Sequence, residues 1–183
     1  VFSTDVATIA SCNADAVIAV YPFTPQPAIT QAIIGVSEVP VFCGVGGGLT
    51  NGVRSASMAA YVEHQGAYGV VCNSKIGVET IHAIKDAVEI PVVYTVISEN
   101  TDIQPYLTAG VDIINVSGAA RTPEIVGALR QRYPELPIIA TGGPTEESIL
   151  ATIRAGADAI TYTPPSSASL FAKTMADNRS ELE

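Results

Sequence analysis

The sequence predicts an α/β fold, a single compact (β/α)8 TIM barrel with a closed, parallel eight-stranded sheet over residues 1–183. Two recurring phrases carry that expectation. The first is Glu-x-Pro before an apolar run: Glu38-Val39-Pro40-Val41-Phe42, Glu89-Ile90-Pro91-Val92-Val93 and Glu135-Leu136-Pro137-Ile138-Ile139. The second places Asp before a similar run: Ala14-Asp15-Ala16-Val17-Ile18, Val111-Asp112-Ile113-Ile114 and Ala157-Asp158-Ala159-Ile160. Short β-branched runs of this kind suit strands covered on both faces, and their regular return with room for a helix between them marks a repeating βα unit.

Taken in order, the first strand is expected at residues 1–4, because Val1-Phe2-Ser3-Thr4 reads like Val41-Phe42-Cys43-Gly44. The phrases supply the next strands, Ala67-Tyr68-Gly69-Val70-Val71 fills the remaining slot, and the eighth falls at residues 159–163. Strands one and eight should pair to close the barrel. Helix punctuation fits. Thr122-Pro123 offers an N-cap with proline behind it, Thr145 precedes Glu146-Glu147, and Thr101 with Gln104 reads as a capping box. Gly66, Gly110 and Gly156 stand where helices should end. Val78, Ile81, Ile84 and Val88 form one helical stripe, and Ile149, Leu150 and Ile153 another.

Composition narrows the function classes. The chain carries 18 acidic residues against 9 Lys and Arg, a net charge of −9, and only 15% charged residues. That balance repels a phosphate backbone, so nucleic acid is not an expected partner. No apolar run reaches the length that spans a bilayer, and no leader is expected. Cys12, Cys43 and Cys72 match neither a disulfide framework nor a zinc site, which places the protein in the reducing cytoplasm. His64 and His82 fall on helices, so no histidine triad is expected.

In such barrels the segments that follow strands carry chemistry and those that precede strands carry stability. Asp15, Asp112 and Asp158 precede strands and are read as structural. After the seventh strand, Gly142 and Gly143 lead through Thr145 into a helix; after the eighth, Ser166 and Ser167 do the same. Such turns either seat a phosphate or another anion on backbone amides, or only reverse the chain. Gly47 and Gly48 belong to a glycine-rich third loop that lacks P-loop spacing and forms either a flexible connector or a backbone wall over the mouth, with Thr50, Asn51 and Arg54 as polar contacts.

Catalytic candidates are the few charges at strand ends: Glu99 as general acid or base, Lys75 as a Schiff-base or phosphate-binding amine, and Asp5 as partner of Glu99. Asp5 is also placed to hold a divalent metal through oxygen ligands; no other cofactor is expected. Arg121 follows strand six, and Asn73, Asn115 and Thr141 end strands with neutral groups that orient a ligand.

The phrase Ile138-Ile139-Ala140-Thr141-Gly142-Gly143, with Ile153-Arg154-Ala155-Gly156-Ala157-Asp158-Ala159-Ile160 after it, resembles the last quarter of phosphate-binding (β/α)8 barrels. Across its length the chain is most similar to the glycerol-uptake operon antiterminator-like family of compact barrels. The triple glycine and the acidic balance depart from that family's pattern. Two functions follow. One is an isomerase, lyase or hydrolase acting on a phosphorylated or carboxylated metabolite. The other, implied by the resemblance, is a non-catalytic metabolite sensor. The expected partners are a small anionic metabolite and further copies of the chain in a homo-oligomer.

Overall fold

The computed structural model describes residues 3–20, 24–165 and 167–180, with positions 3–5, 167–170 and 180 as backbone alone. Seven parallel strands lie side by side in chain order: β1 (Val17–Ala19), β2 (Val41–Gly46), β3 (Gly69–Cys72), β4 (Val92–Val96), β5 (Ile113–Val116), β6 (Ile138–Thr141) and β7 (Ala159–Thr161). Helices alternate with them: α1 (Ser3–Ser11), α2 (Pro27–Val36), α3 (Val53–His64), α4 (Val78–Lys85), α5 (Gln104–Thr108), α6 (Thr122–Arg132), α7 (Glu146–Arg154) and α8 (Ser167–Ser180). The sheet curls into a half-barrel of TIM type.

Two expectations are corrected. Ser3 and Thr4 begin α1 rather than a strand, and Val1 and Phe2 lie outside the described residues. A segment as short as Val-Phe-Ser-Thr cannot be told from a helix start by periodicity, and Ile9 of α1 packs on the core as a helical face requires. Consequently β1 and β7 each pair on one side only among the described residues, and the closed eight-stranded barrel becomes an open sheet of seven strands. On the outside, α1 packs against both α2 and α8.

Period-two alternation gives the sheet two unlike faces. One, formed by Val41, Cys43, Val70, Cys72, Val92, Tyr94, Val96, Ile114, Val116, Ile138 and Ala140, is buried under the helices against Ile33, Val62, Ile81, Ile84 and Ile125. Each such aliphatic side chain contributes about 1.5–3 kcal/mol on leaving water. Burial pushes the Cys43 and Cys72 thiols up to about 12, so both behave as small hydrophobes. Tyr94 stacks on Tyr106 at 4.0 Å, and their hydroxyls donate to the carbonyls of Ser74 and Ile76, which fastens the chain after β3.

The other face lines the barrel interior. Phe42 lies over Gly69, where a Cβ would stand 2.5 Å from the ring, so only glycine admits the aromatic there. Val71 and Val93 continue this layer through the paired positions Gly44–Val71 and Val71–Val93.

The strands' N-terminal ends are fastened by the second repeated phrase. Asp112 Oδ2 accepts from the Val92 N–H and from Lys85 Nζ, both at 2.8 Å. Asp158 Oδ2 accepts from the Ile138 N–H at 2.8 Å and from Arg130 at 2.7 Å. In each case an aspartate before one strand ties down the first amide of the preceding strand. Glu63 does the same for Glu89 and Ile90 from α3, at 2.7 and 3.0 Å. Arg130 also donates to the carbonyls of Pro134, Leu136 and Gly156. Partial burial alone would raise the Asp158 carboxyl, but the Ile138 amide and Arg130 outweigh it and hold the group below its usual range.

Helix ends depart from expectation in two places. Thr122 is the first residue of α6, and its hydroxyl accepts from the Gly118 N–H of the loop before it. The Thr101–Gln104 capping box is replaced by Asp102, which accepts from the Gln104 N–H at 3.2 Å. Thr145 caps α7, with Ser148 as its reciprocal partner. Gly66, Gly110 and Gly156 take φ values of +95° to +105°, the left-handed form a helix stop favours. The stripe on α4 is buried as expected, with Ile81 and Ile84 sealed from solvent. That on α7 is not: Leu150 and Ile153 are exposed beside β7, the last strand of the sheet.

Candidate functional site

At the C-terminal ends of β4–β7 the interior face changes from aliphatic to polar. Val93 pairs with Ile113, and one step along the same face Thr95 pairs with Asn115. Thr141 likewise pairs with Thr161, two residues beyond the apolar pair Ile139–Ala159. Asn115 opposes Ile139, so the register puts all four polar side chains on one face. Asn115 Nδ2 donates to Thr95 Oγ1 at 3.2 Å, and Thr161 Oγ1 donates to Thr141 Oγ1 at 3.4 Å. The two pairs are separate, and Asn115 Oδ1 is buried without a hydrogen-bond partner. A buried acceptor left unpaired costs on the order of 1–3 kcal/mol, so such groups mark places where a ligand or water completes the set.

Above this row stands an ion pair. Glu99, three residues past β4, is bonded through Oε1 to Nη2 of Arg121, which lies in the 3-10 turn Ala119–Arg121 after β5. Glu124 approaches the same guanidinium at 3.6 Å. The turn contains the one described non-glycine residue with positive φ, Ala119 at +52°. A non-glycine residue in that region costs roughly 1–2 kcal/mol, held here by the Gly118 N–H bond to Thr122 and the Arg121 N–H bond to the Gly118 carbonyl.

The remaining expected residues are dispersed. Lys75 and Asn73 follow β3 and are exposed. Gly47 follows β2 at φ +91°, and a Cβ there would lie 2.5 Å from the Asn73 carbonyl, so the glycine loop leans directly on the β3 exit. Gly48 is open to solvent. Under the same loop, Thr50 Oγ1 and Ser55 Oγ are also buried without partners.

The Gly142 N–H donates to the Thr161 carbonyl, and a Cβ on Gly142 would press on Ile160 and Ile149, so this glycine serves close packing of β6 on β7. Gly143 takes φ +81°. Thr145 and Ser148 engage one another's amides, so part of the α7 N-terminus is already capped by its own side chains. Ser166 lies outside the described residues; Ser167 opens α8, its side chain likewise outside them.

Asp5 requires correction. It lies in the first turn of α1 instead of following a strand, because Ser3 and Thr4 of the expected strand one are helical. Its pairing with Glu99 loses its basis, since Glu99 is taken by Arg121. Among the described residues no group of three or more His, Cys, Asp or Glu is gathered to hold a metal ion. No described helix is long and apolar enough to cross a membrane.

Thr95 and Thr161 are the site residues that sequence reasoning passed over. A hydroxyl within the apolar run Val92-Val93-Tyr94-Thr95-Val96 was the available signal, and only the register shows that it meets Asn115.

No family model matches the sequence, and no curated protein matches it. Solved structures do match in fold. A 2,3-dimethylmalate lyase, a member of the PEP mutase/isocitrate lyase superfamily, superimposes with a TM-score of 0.73 at 15% identity, over 98% of this chain and 76% of that one. Phosphonopyruvate hydrolase gives 0.63 at 16%, over 96% and 83%. Phosphoenolpyruvate phosphomutase from Streptomyces platensis subsp. rosaceus gives 0.61 at 18%, over 84% of this chain but only 64% of its own. These are lyase, hydrolase and mutase barrels, not antiterminators. At such identities the likeness is one of fold: this chain has a TIM-barrel-like architecture, built on seven described strands.

Proposed function

We propose that the polar row Thr95, Asn115, Thr141 and Thr161 seats a small anionic carboxylic or phosphorylated metabolite, and that the protein is a lyase- or mutase-type enzyme acting on it. The observation that carries this reading is the buried, unpartnered Asn115 Oδ1 at the C-terminal end of a central strand, where barrels of this class place their ligands. The names of the fold neighbours support it, since a lyase of a substituted malate, a phosphonopyruvate hydrolase and a phosphoenolpyruvate phosphomutase all act on small acids.

Asn115 and Thr95 are suited to a hydroxyl. As placed, the amide donates to Thr95, leaving the threonine proton and Asn115 Oδ1 for a third group. Turning the amide over leaves an amide proton and a threonine lone pair instead. In either arrangement the pair keeps both a donor and an acceptor free, which a hydroxyl or enol satisfies at once. In this reading Glu99 is the general acid or base, Lys75 an exposed cation at the rim, and the loops at Gly47–Gly48, Gly142–Gly143 and Ser166–Ser167 seat a phosphate or phosphonate end. Asn73 borders the same mouth.

The test is a panel of 2-hydroxy and 2-oxo dicarboxylates and three-carbon phosphonates, followed by proton and phosphorus NMR. At least one acid should be consumed. Asn115→Leu should slow its consumption by about 10²-fold, close to 3 kcal/mol of barrier, at an unchanged unfolding midpoint. A panel in which no acid is consumed and none raises the midpoint contradicts the proposal.

A further inference from the structure

We infer that Glu99 is a built-in competitor for Arg121, displaced when the anionic group of a ligand takes the guanidinium. The inference rests on the small-acid reading of the site and adds how the acid is admitted. An acidic protein of net charge −9 needs a local cation to hold an anion. Lys85 and Arg130 are committed at the opposite strand ends, to Asp112 and Asp158. The cations on segments that follow strands are Arg54, Lys75 and Arg121. Of these, Arg121 follows β5, the strand that carries Asn115, and its partner Glu99 follows β4, the strand that carries Thr95.

The pair is built to be exchanged. Arg121 is 54% exposed and Glu99 32%, so water screens their attraction and little is lost when it is broken. A guanidinium presents five donors in a planar fork, and a carboxylate or phosphonate can take two of them side by side. Glu99 uses Nη2, while Glu124 stands only within 3.6 Å of Nε. The strained Ala119 and its bonded turn fix the backbone beneath Arg121, so the exchange needs movement of side chains alone. Once released, Glu99 is an unpaired carboxylate beside the bound acid, the form that a general base requires. The arrangement therefore couples arrival of substrate to exposure of the base.

Calorimetric binding of phosphonoacetate and of oxalate to the whole chain tests this, with folding of each variant checked by its unfolding midpoint. Glu99→Gln should bind both anions about two- to fivefold more tightly than the parent, because the competitor has lost its charge and the screened pair it made was a weak one. Arg121→Gln should bind them at least tenfold more weakly, and the double variant should match Arg121→Gln. Glu124→Gln should change affinity less than Glu99→Gln. Binding by the parent with no gain in Glu99→Gln overturns the displacement while leaving the acid site standing. Absence of binding in the parent and in every variant overturns the acid site and the displacement together.

Discussion

The two ends of the strands solve opposite problems. At the N-terminal ends the carboxylates of Asp112 and Asp158 are each spent on a strand amide and a cation. At the C-terminal ends polar groups are left incomplete: Asn115 Oδ1, Thr50 Oγ1 and Ser55 Oγ lack partners, Ala119 is strained, and the Glu99–Arg121 ion pair is exposed. Saturated bonds make a base that holds strand order. Unsaturated ones make a surface whose free energy falls when something binds. The same residue types thus serve stability or function according to which end of a strand they occupy.

Substitutions at the two ends should therefore separate cleanly, and the largest effect is expected at the C-terminal one. Asn115→Leu should lower turnover of whichever acid is consumed by about 10²-fold while moving the unfolding midpoint little, because a similar volume is kept and an unpaired acceptor is removed. A large loss of stability with turnover retained would make Asn115 part of the base.

Asp158→Ala should show the reverse. It leaves the Ile138 amide and Arg130 without their acceptor and should cost about 1–2 kcal/mol by chemical denaturation, part of the loss being made good by water. Turnover should stay within twofold. A collapse of turnover at full stability would break the division between the ends.

Ala119→Gly should be worth about 1 kcal/mol in the other direction, since glycine accepts φ +52° without strain. If the turn positions Arg121, affinity for acids should fall slightly as stability rises.

The smallest effect is in pH dependence. Because the native fold holds the Asp158 carboxyl below its usual value, its contribution is fully present above the unfolded value of about 3.9 and is lost as pH falls through the lower native one. The parent should lose stability more steeply than Asp158→Asn below about pH 4. Parallel acid-unfolding curves would show that the carboxylate is not engaged in solution.

Legibility in the sequence follows the same division. Six of the seven strands are announced by an apolar run behind Pro or Asp, and β3 by Gly69-Val70-Val71 in the remaining slot, because chain-local chemistry is visible in one dimension. The segment at residues 1–4 misled because two apolar residues followed by Ser and Thr fit a strand or a helix start equally, and Ser3 and Thr4 begin α1. Losing that strand also removed the ground for Asp5. Glu99 and Asn115 were found as polar residues near strand ends. Their partners were harder: Glu99 meets Arg121 across 22 residues and Asn115 meets Thr95 across 20, contacts set by sheet register and invisible to spacing. The stripe at Leu150 and Ile153 predicted burial from periodicity alone, and periodicity says nothing about whether a neighbouring strand is there to cover it.

Chemical-shift mapping of the whole chain with phosphonoacetate tests the central claim most directly. If the C-terminal ends are the binding surface, the amides of Thr95, Asn115, Arg121, Thr141 and Thr161 should shift on titration, and those of Val92, Asp112, Ile138 and Asp158 should not. Shifts gathered at the N-terminal strand ends or on the outer helix faces, with the polar row silent, would contradict it.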